Sequence, residues 1–150
     1  MLYEGDGASR RLTRFTDLRL MRRMIRDARH RDHNPLRTLL HWHYVRAGEL
    51  FSILPLRGLA DCVVNGGFPF ELPVLKPLLA GPDGLLPRPE AFRNYAGFLD
   101  ARIRYERIKT LIESVDGLEA GQIASHDLVP GDSVLREFIG GSTIRIPHNE

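Results

Sequence analysis

Asp17-Leu-Arg-Leu-Met-Arg-Arg-Met-Ile-Arg-Asp27 is the stretch on which the reading of this chain turns. At 100° per residue, Arg19, Arg22, Arg23, Arg26, Arg29 and His30 fall within roughly 120° of one another. Leu18, Met21, Met24, Ile25 and Ala28 fill the opposite face. The spacing predicts a helix that Thr16 or Asp17 caps and that runs to about His30, burying one side and showing a basic stripe on the other. Such a stripe suits polyanions: nucleotide phosphates, a nucleic-acid backbone or an anionic surface. Arginines at i,i+3 and i,i+4 repel one another, and only Asp17 and Asp27 lie nearby to offset them. The stripe is therefore expected to meet a ligand or partner; a merely solvated face is the plain alternative.

Charge elsewhere sharpens the contrast. Between Arg10 and Arg46 eleven arginines stand against Asp17, Asp27 and Asp32, a balance of +8, whereas from Leu75 onward nine basic residues face eleven acidic ones. Nineteen of the twenty-one cations are arginine, whose planar fork matches phosphate oxygens in pairs. The length of 150 residues suits one globular domain or part of one. No apolar run approaches the ~20 residues of a membrane span. Met1 to Gly7 is polar and acidic, unlike a secretory signal. Cys62 is the single cysteine, so no internal disulfide or cysteine-based zinc framework is expected, and the setting expected is reducing and cytoplasmic.

Working outward from the arginine stretch, residues 1–15 read as a loose lead-in. Asn34-Pro35 marks a second helix start, and that helix continues to Ile53, with a break near Tyr44, and stops at Pro55. Ala60 to Asn65 is short, β-branched and followed by Gly66-Gly67, which predicts a buried strand and a turn. Phe70 to Leu79 is expected to form a short helix confined by Pro73 and Pro77. A proline- and glycine-rich loop covers Gly81 to Pro89. Glu90 to Val115 reads as the longest helix, with Gly117 ending it. Asp132 or Ser133 caps a last short helix through Phe138, and Gly140-Gly141 terminates it. The expected product is mostly helical with one or two strands, and a lone strand has nothing obvious to pair with. That points to a missing half or to a second copy.

Other constellations carry less. Phosphoryl transfer from ATP needs a cradle such as G-x-x-x-x-G-K-[ST]. The two lysines, Lys76 and Lys109, both lack that context, so no phosphate loop lies within residues 1–150. His30, His33, His41 and His43 do not form a metal-ligand pattern. Ser133 and Ser142 have no nucleophile elbow around them. Cys62 is expected in the core. Trp42, Tyr44, Phe51 and Ile53 are expected to pack rather than to stack on bases.

The arginine stretch resembles the D-x-R-L-x-R-R-x-x-R-D segment of uridine and cytidine kinases, the helix entering their lid. Arg29-His-Arg-Asp-His-Asn-Pro-Leu-Arg-Thr-Leu39 resembles the lid turn and following helix of the longer bacterial uridine kinase-like proteins. Ala60-Asp-Cys-Val-Val-Asn65 and Glu71-Leu-Pro-Val-Leu-Lys-Pro77 resemble their late strand and next helix. Ser133-Val-Leu-Arg-Glu-Phe-Ile-Gly-Gly-Ser142 is similar to the terminal signature of that subgroup. The likeness covers about residues 11 to 80 and 128 to 143, in order.

The resemblance implies the carboxy-terminal, lid-bearing part of an α/β P-loop nucleoside kinase. Its lid region would be about 16–54, its strand and helix 60–80, its long helix about 90–116 and its terminal motif 132–142. Arg23, Arg26 and Arg31 match the lid arginines that reach over the ATP phosphates, where they would neutralise charge on the transferring group and exclude water. Two departures stand in the lid turn: Asp32 replaces the usual glycine and His33 the second arginine. ATP and Mg²⁺ are the ligands implied for the intact protein, and the family's catalytic carboxylate and phosphate loop match nothing in this chain. No catalytic residue and no metal site is therefore assigned, and the chain alone is expected to be inactive. The partners implied are nucleotide phosphates, bound weakly, with an amino-terminal P-loop half or a second copy. The alternatives are a helical nucleic-acid-binding module using the Arg19–Arg29 stripe, or a non-enzymatic interaction domain.

Overall fold

The computed structural model describes residues 3–4, 11–12, 14–68 and 70–145 of the protein. The described chain is mostly helical. A short antiparallel pair, β1 (Tyr3–Glu4) with β2 (Arg11–Leu12), precedes α1 (Phe15–His30) and α2 (Pro35–Gly48). A π-helical turn (Glu49–Ile53) and a 3-10 stretch (Leu54–Leu59) continue α2, and α3 (Glu71–Ala80) follows further along the chain. A further 3-10 turn (Pro89–Tyr95), α4 (Leu99–Glu113) and two short helices, α5 (Ala120–Ala124) and α6 (Arg136–Ile139), complete the order. Most of the expected lead-in lies outside the described residues.

α1 is the centre of the fold, in contact with α2, α3, α4 and α6. Its apolar face is the predicted one: Leu18, Met21, Met24 and Ile25 are buried, and Leu20 joins them. Straight-chain Leu, Met and Arg favour the helix intrinsically, and each fully buried apolar side chain contributes about 1.5–3 kcal/mol. Its cap differs from expectation. Arg14 holds the N-cap position without a side-chain bond. Asp17 sits inside the first turn, where Arg107 of α4 donates to both its oxygens at 3.0 and 2.6 Å, tying α1 to α4. A carboxylate committed there has no reach left for capping.

Local signals explain the next boundaries. Asn34 caps α2 by accepting from the Leu36 amide at 2.8 Å, with Pro35 at the first helical position. Pro77 lies within α3, and a proline leaves the carbonyl four residues back without its helical donor. That carbonyl, on Pro73, accepts instead from the Leu118 amide at 3.0 Å. The same neighbour segment receives Lys76, whose Nζ donates to the Val115 carbonyl at 2.6 Å. The tail motif holds only at its end: Gly140 and Gly141 follow α6 with φ of 88° and 74°, but Leu135, not Asp132 or Ser133, holds the N-cap position without a side-chain bond, and the Ser133 hydroxyl accepts from the Leu135 amide ahead of the helix. Only glycine adopts such angles without penalty.

Four expectations are corrected. Ala60 to Asn65 forms no strand: the run is irregular, with a bend at Asp61, and exposed, Val64 by 83%, because no described strand lies alongside to pair with it. Cys62 is accordingly exposed rather than in the core. Of the aromatic group, Trp42 is buried, but Tyr44 on α2 and Phe51 and Ile53 on the turn beyond Gly48 are exposed. The expected long helix is two pieces, divided at Ala96 to Phe98 around Gly97, and the second ends at Glu113, ahead of Gly117. Tyr105 of α4 is buried and packs on Phe92 with ring centroids 5.1 Å apart. Burial pushes its phenol pKa up, and Glu106, Glu113 and Glu90 add to the shift.

Candidate phosphate-binding site

The arginines of α1 do not share one environment. Arg22 is the most committed. Its Nε and Nη2 grip the two oxygens of the fully buried Glu71, with the Nη2 bond at 2.7 Å, and Nη2 also donates to the Gly66 carbonyl at 2.7 Å. Its guanidinium lies between the Phe68 and Phe138 rings, 5.9 and 5.6 Å from their centroids, an arrangement in which cation–π attraction adds to the ion pair. Arg19 and Arg46 meet on the buried carboxylate of Glu49. Arg29 donates from Nη1 to the Phe138 carbonyl at 2.8 Å.

Arg23 and Arg26 are held more loosely. Among the described residues Arg23 bonds through Nε alone, to Asp27 one turn on, at 3.2 Å. Arg26 reaches the exposed Glu137 with a long 3.4 Å contact, and its buried Nε has no hydrogen-bond partner among the described residues. A buried donor left unsatisfied costs about 1–3 kcal/mol, which an incoming acceptor relieves. Both side chains are about one-third exposed. With Arg19, Arg22, Trp42, Val45 and Phe138 they line a cavity of about 200 Å³. Four guanidinium groups and one indole thus converge on a space below the ~300 Å³ at which drug-sized ligands are usually accommodated. Its size suits a phosphate group rather than a whole nucleotide.

Arg31 lies elsewhere. It caps the end of α1 and donates to the second oxygen of Asp27 at 3.1 Å, half exposed and away from the cavity. Asp27 itself is buried and organises the turn: its carboxylate takes Arg23, Arg31 and the Thr38 hydroxyl, and its carbonyl accepts from the Arg31 and His33 amides. Asp32 follows with φ of 50°, the one described non-glycine residue in the left-handed region. Glycine is the residue such a backbone favours.

The sequence argument that the stripe lacks compensating carboxylates is overturned. Glu49, Glu71 and Glu137 supply them from other elements. What the wheel missed in the site, Trp42 and Phe138, comes from α2 and α6, and the lone tryptophan was the available signal. No group of three or more His, Cys, Asp or Glu side chains able to hold a metal ion lies among the described residues. No described helix is long and apolar enough to cross a membrane. Comparison of the chain with protein-family models, with curated proteins and with solved structures finds no match.

Proposed function

We propose that α1 is the lid helix of a uridine kinase-like phosphoryl-transfer protein, and that Arg23 and Arg26 receive the phosphates of ATP. The observation that carries this reading is their shared position. Of the five stripe arginines, the two that the motif assigns to phosphate are those with the weakest internal bonds, and both line the small cationic cavity. The glycine-like backbone at Asp32 adds support from the lid turn. Arg31, held on Asp27 outside the cavity, would approach a ligand only by leaving that pair.

In such a lid the guanidinium groups bind the phosphate oxygens in place, offset negative charge as it develops on the transferring group, and help shut out water. Mg²⁺ would arrive with the nucleotide, since the described residues offer no carboxylate cluster to hold it. The phosphate loop would come from another polypeptide segment, because residues 1–150 contain no G-K-[ST] cradle. The carboxylates that interrupt the stripe favour a compact phosphate ligand over a nucleic-acid backbone, which draws its affinity from many unpaired cations in a row.

Trp42 lines the cavity and is the only tryptophan, so its emission reports binding directly. Titration with tripolyphosphate should change that emission with a dissociation constant in the millimolar range, about 4 kcal/mol, weakening as salt rises. Arg23→Ala with Arg26→Ala should abolish the response. Arg37→Ala with Arg57→Ala, which removes the same charge from exposed sites off the cavity, should leave it nearly intact. Equal losses in the two double variants would reduce the effect to net charge and defeat the proposal.

A further inference from the structure

A larger cavity, about 760 Å³, opens where the last turn of α1 meets α3, α5 and the chain after α6. Leu78, Leu85, Ile123 and Ile139 contribute to its apolar walls, and its charged groups are Arg29, Arg136 and Asp83. Its volume falls in the range of sites that take small organic molecules.

Arg136 gives this cavity its character. The side chain is 3% exposed, and its N–H groups point at backbone carbonyls: Nε and Nη2 at Val129, Nη1 at Ile123 and Gly140, and Nη2 also at Ser125. All five donors of the guanidinium are thereby used. No carboxylate pairs with it among the described residues, so dipoles stabilise the charge without cancelling it, and in a poorly screened interior its field persists. Arg29 is the complement. It is exposed and, among the described residues, spends one donor on the Phe138 carbonyl and leaves the rest of its fork available.

The two guanidinium groups flank the same turn. A Cβ on Gly140 would lie 3.9 Å from Arg29 Nη1, and one on Gly141 would lie 3.5 Å from Arg136 Nη1. Asp83, on the loop after α3, is exposed and makes no ion pair among the described residues. Two cations against one carboxylate leave a net positive charge along the lining of a largely apolar cavity.

We infer that this cavity binds a small organic monoanion, a carboxylate carried on an apolar body. Arg29 supplies the hydrogen bonds to the carboxylate, Arg136 supplies buried positive charge, and the apolar walls take the body. One available guanidinium suits a single anionic group better than a di- or triphosphate, and the apolar lining gives inorganic anions nothing further to hold.

The test uses three probes of one chain length, octanoate, 1-octanol and octylamine, with inorganic phosphate alongside, measured by calorimetry on the full chain. Octanoate should bind about tenfold more tightly than octanol, the scale of one charge-assisted hydrogen bond; octylamine should bind least, and phosphate should not displace octanoate. Arg29→Met should erase the preference for octanoate over octanol, and Asp83→Asn should strengthen octanoate binding. Both positions are exposed, and unchanged melting curves would show that the variants fold. Equal affinity for octanoate and octanol, a preference that survives Arg29→Met, or displacement of octanoate by phosphate at equal concentration would each overturn the inference.

Discussion

Arg22 is mostly buried and Arg136 almost wholly so, and the molecule handles them in opposite ways. Arg22, on the central helix, is met by a carboxylate, Glu71, and two aromatic rings. Arg136, in the short terminal helix, is met by carbonyls alone. The first arrangement joins α1 to α3 and leaves little charge over. The second ties residues 123–140 into a loop around one cation and leaves its charge in place. Counting arginines along a face therefore says little about where positive charge is available. What matters is which partner each one meets.

The sharpest way to break the comparison is to remove Glu71. Glu71→Ala strands a mostly buried guanidinium, and the expected cost is about 3–5 kcal/mol in chemical denaturation. Combining it with Arg22→Met should recover much of that loss, because the charge then goes with its partner. If Glu71→Ala alone cost under 1 kcal/mol, the ion pair would not be the link between α1 and α3.

Removing the carbonyl-bound cation should matter less and more locally. Arg136→Met is expected to cost about 2–4 kcal/mol, since several carbonyls lose a charged donor at once. The cluster of Val74, Val129 and Leu135 beside it is small. Hydrogen exchange should therefore rise across residues 118–145 while α1 and α4 stay protected. A uniform rise along the whole chain would show the terminal segment to be part of one cooperative unit with the rest.

The smallest effect belongs to the exposed pair. Arg31 shares the Asp27 carboxylate with Arg23 but is half exposed, and Arg31→Ala should lower stability by no more than about 0.5 kcal/mol. A loss of 2 kcal/mol in a thermal or denaturant melt would mean that Arg31 holds the turn jointly with Asp27.

Much of the helical framework was legible because its signals are local. Asn34-Pro35 caps α2, the apolar spacing of α1 marks its buried face, and Gly140-Gly141 closes α6, each within a few residues of sequence. Ala60 to Asn65 misled for the converse reason: β-branching favours a strand only where an edge is present to pair with, and none is described there. Gly97 was passed over as a helix break because the apolar period on either side masks it. α5 was missed although Glu119 and Gln122 form a reciprocal capping box, with glutamate in a position where Ser or Thr is the usual cue. The candidate site was half legible. The motif named Arg23 and Arg26, but the partners that distinguish the arginines lie far off in the chain. Arg22 and Glu71 are 49 residues apart, and Arg26 and Glu137 are 111 apart. No helical wheel reaches that distance.

Cys62 stands out on the uncovered run that leads back to Gly66, whose carbonyl is held by Arg22. It is the sole thiol, and Trp42 in the cationic cavity is the sole indole. The chain thus carries its own donor and a unique attachment point for an acceptor dye, with no residue to be replaced. Energy transfer between them reads how far the run lies from the cavity, and whether a bound phosphate draws it inward.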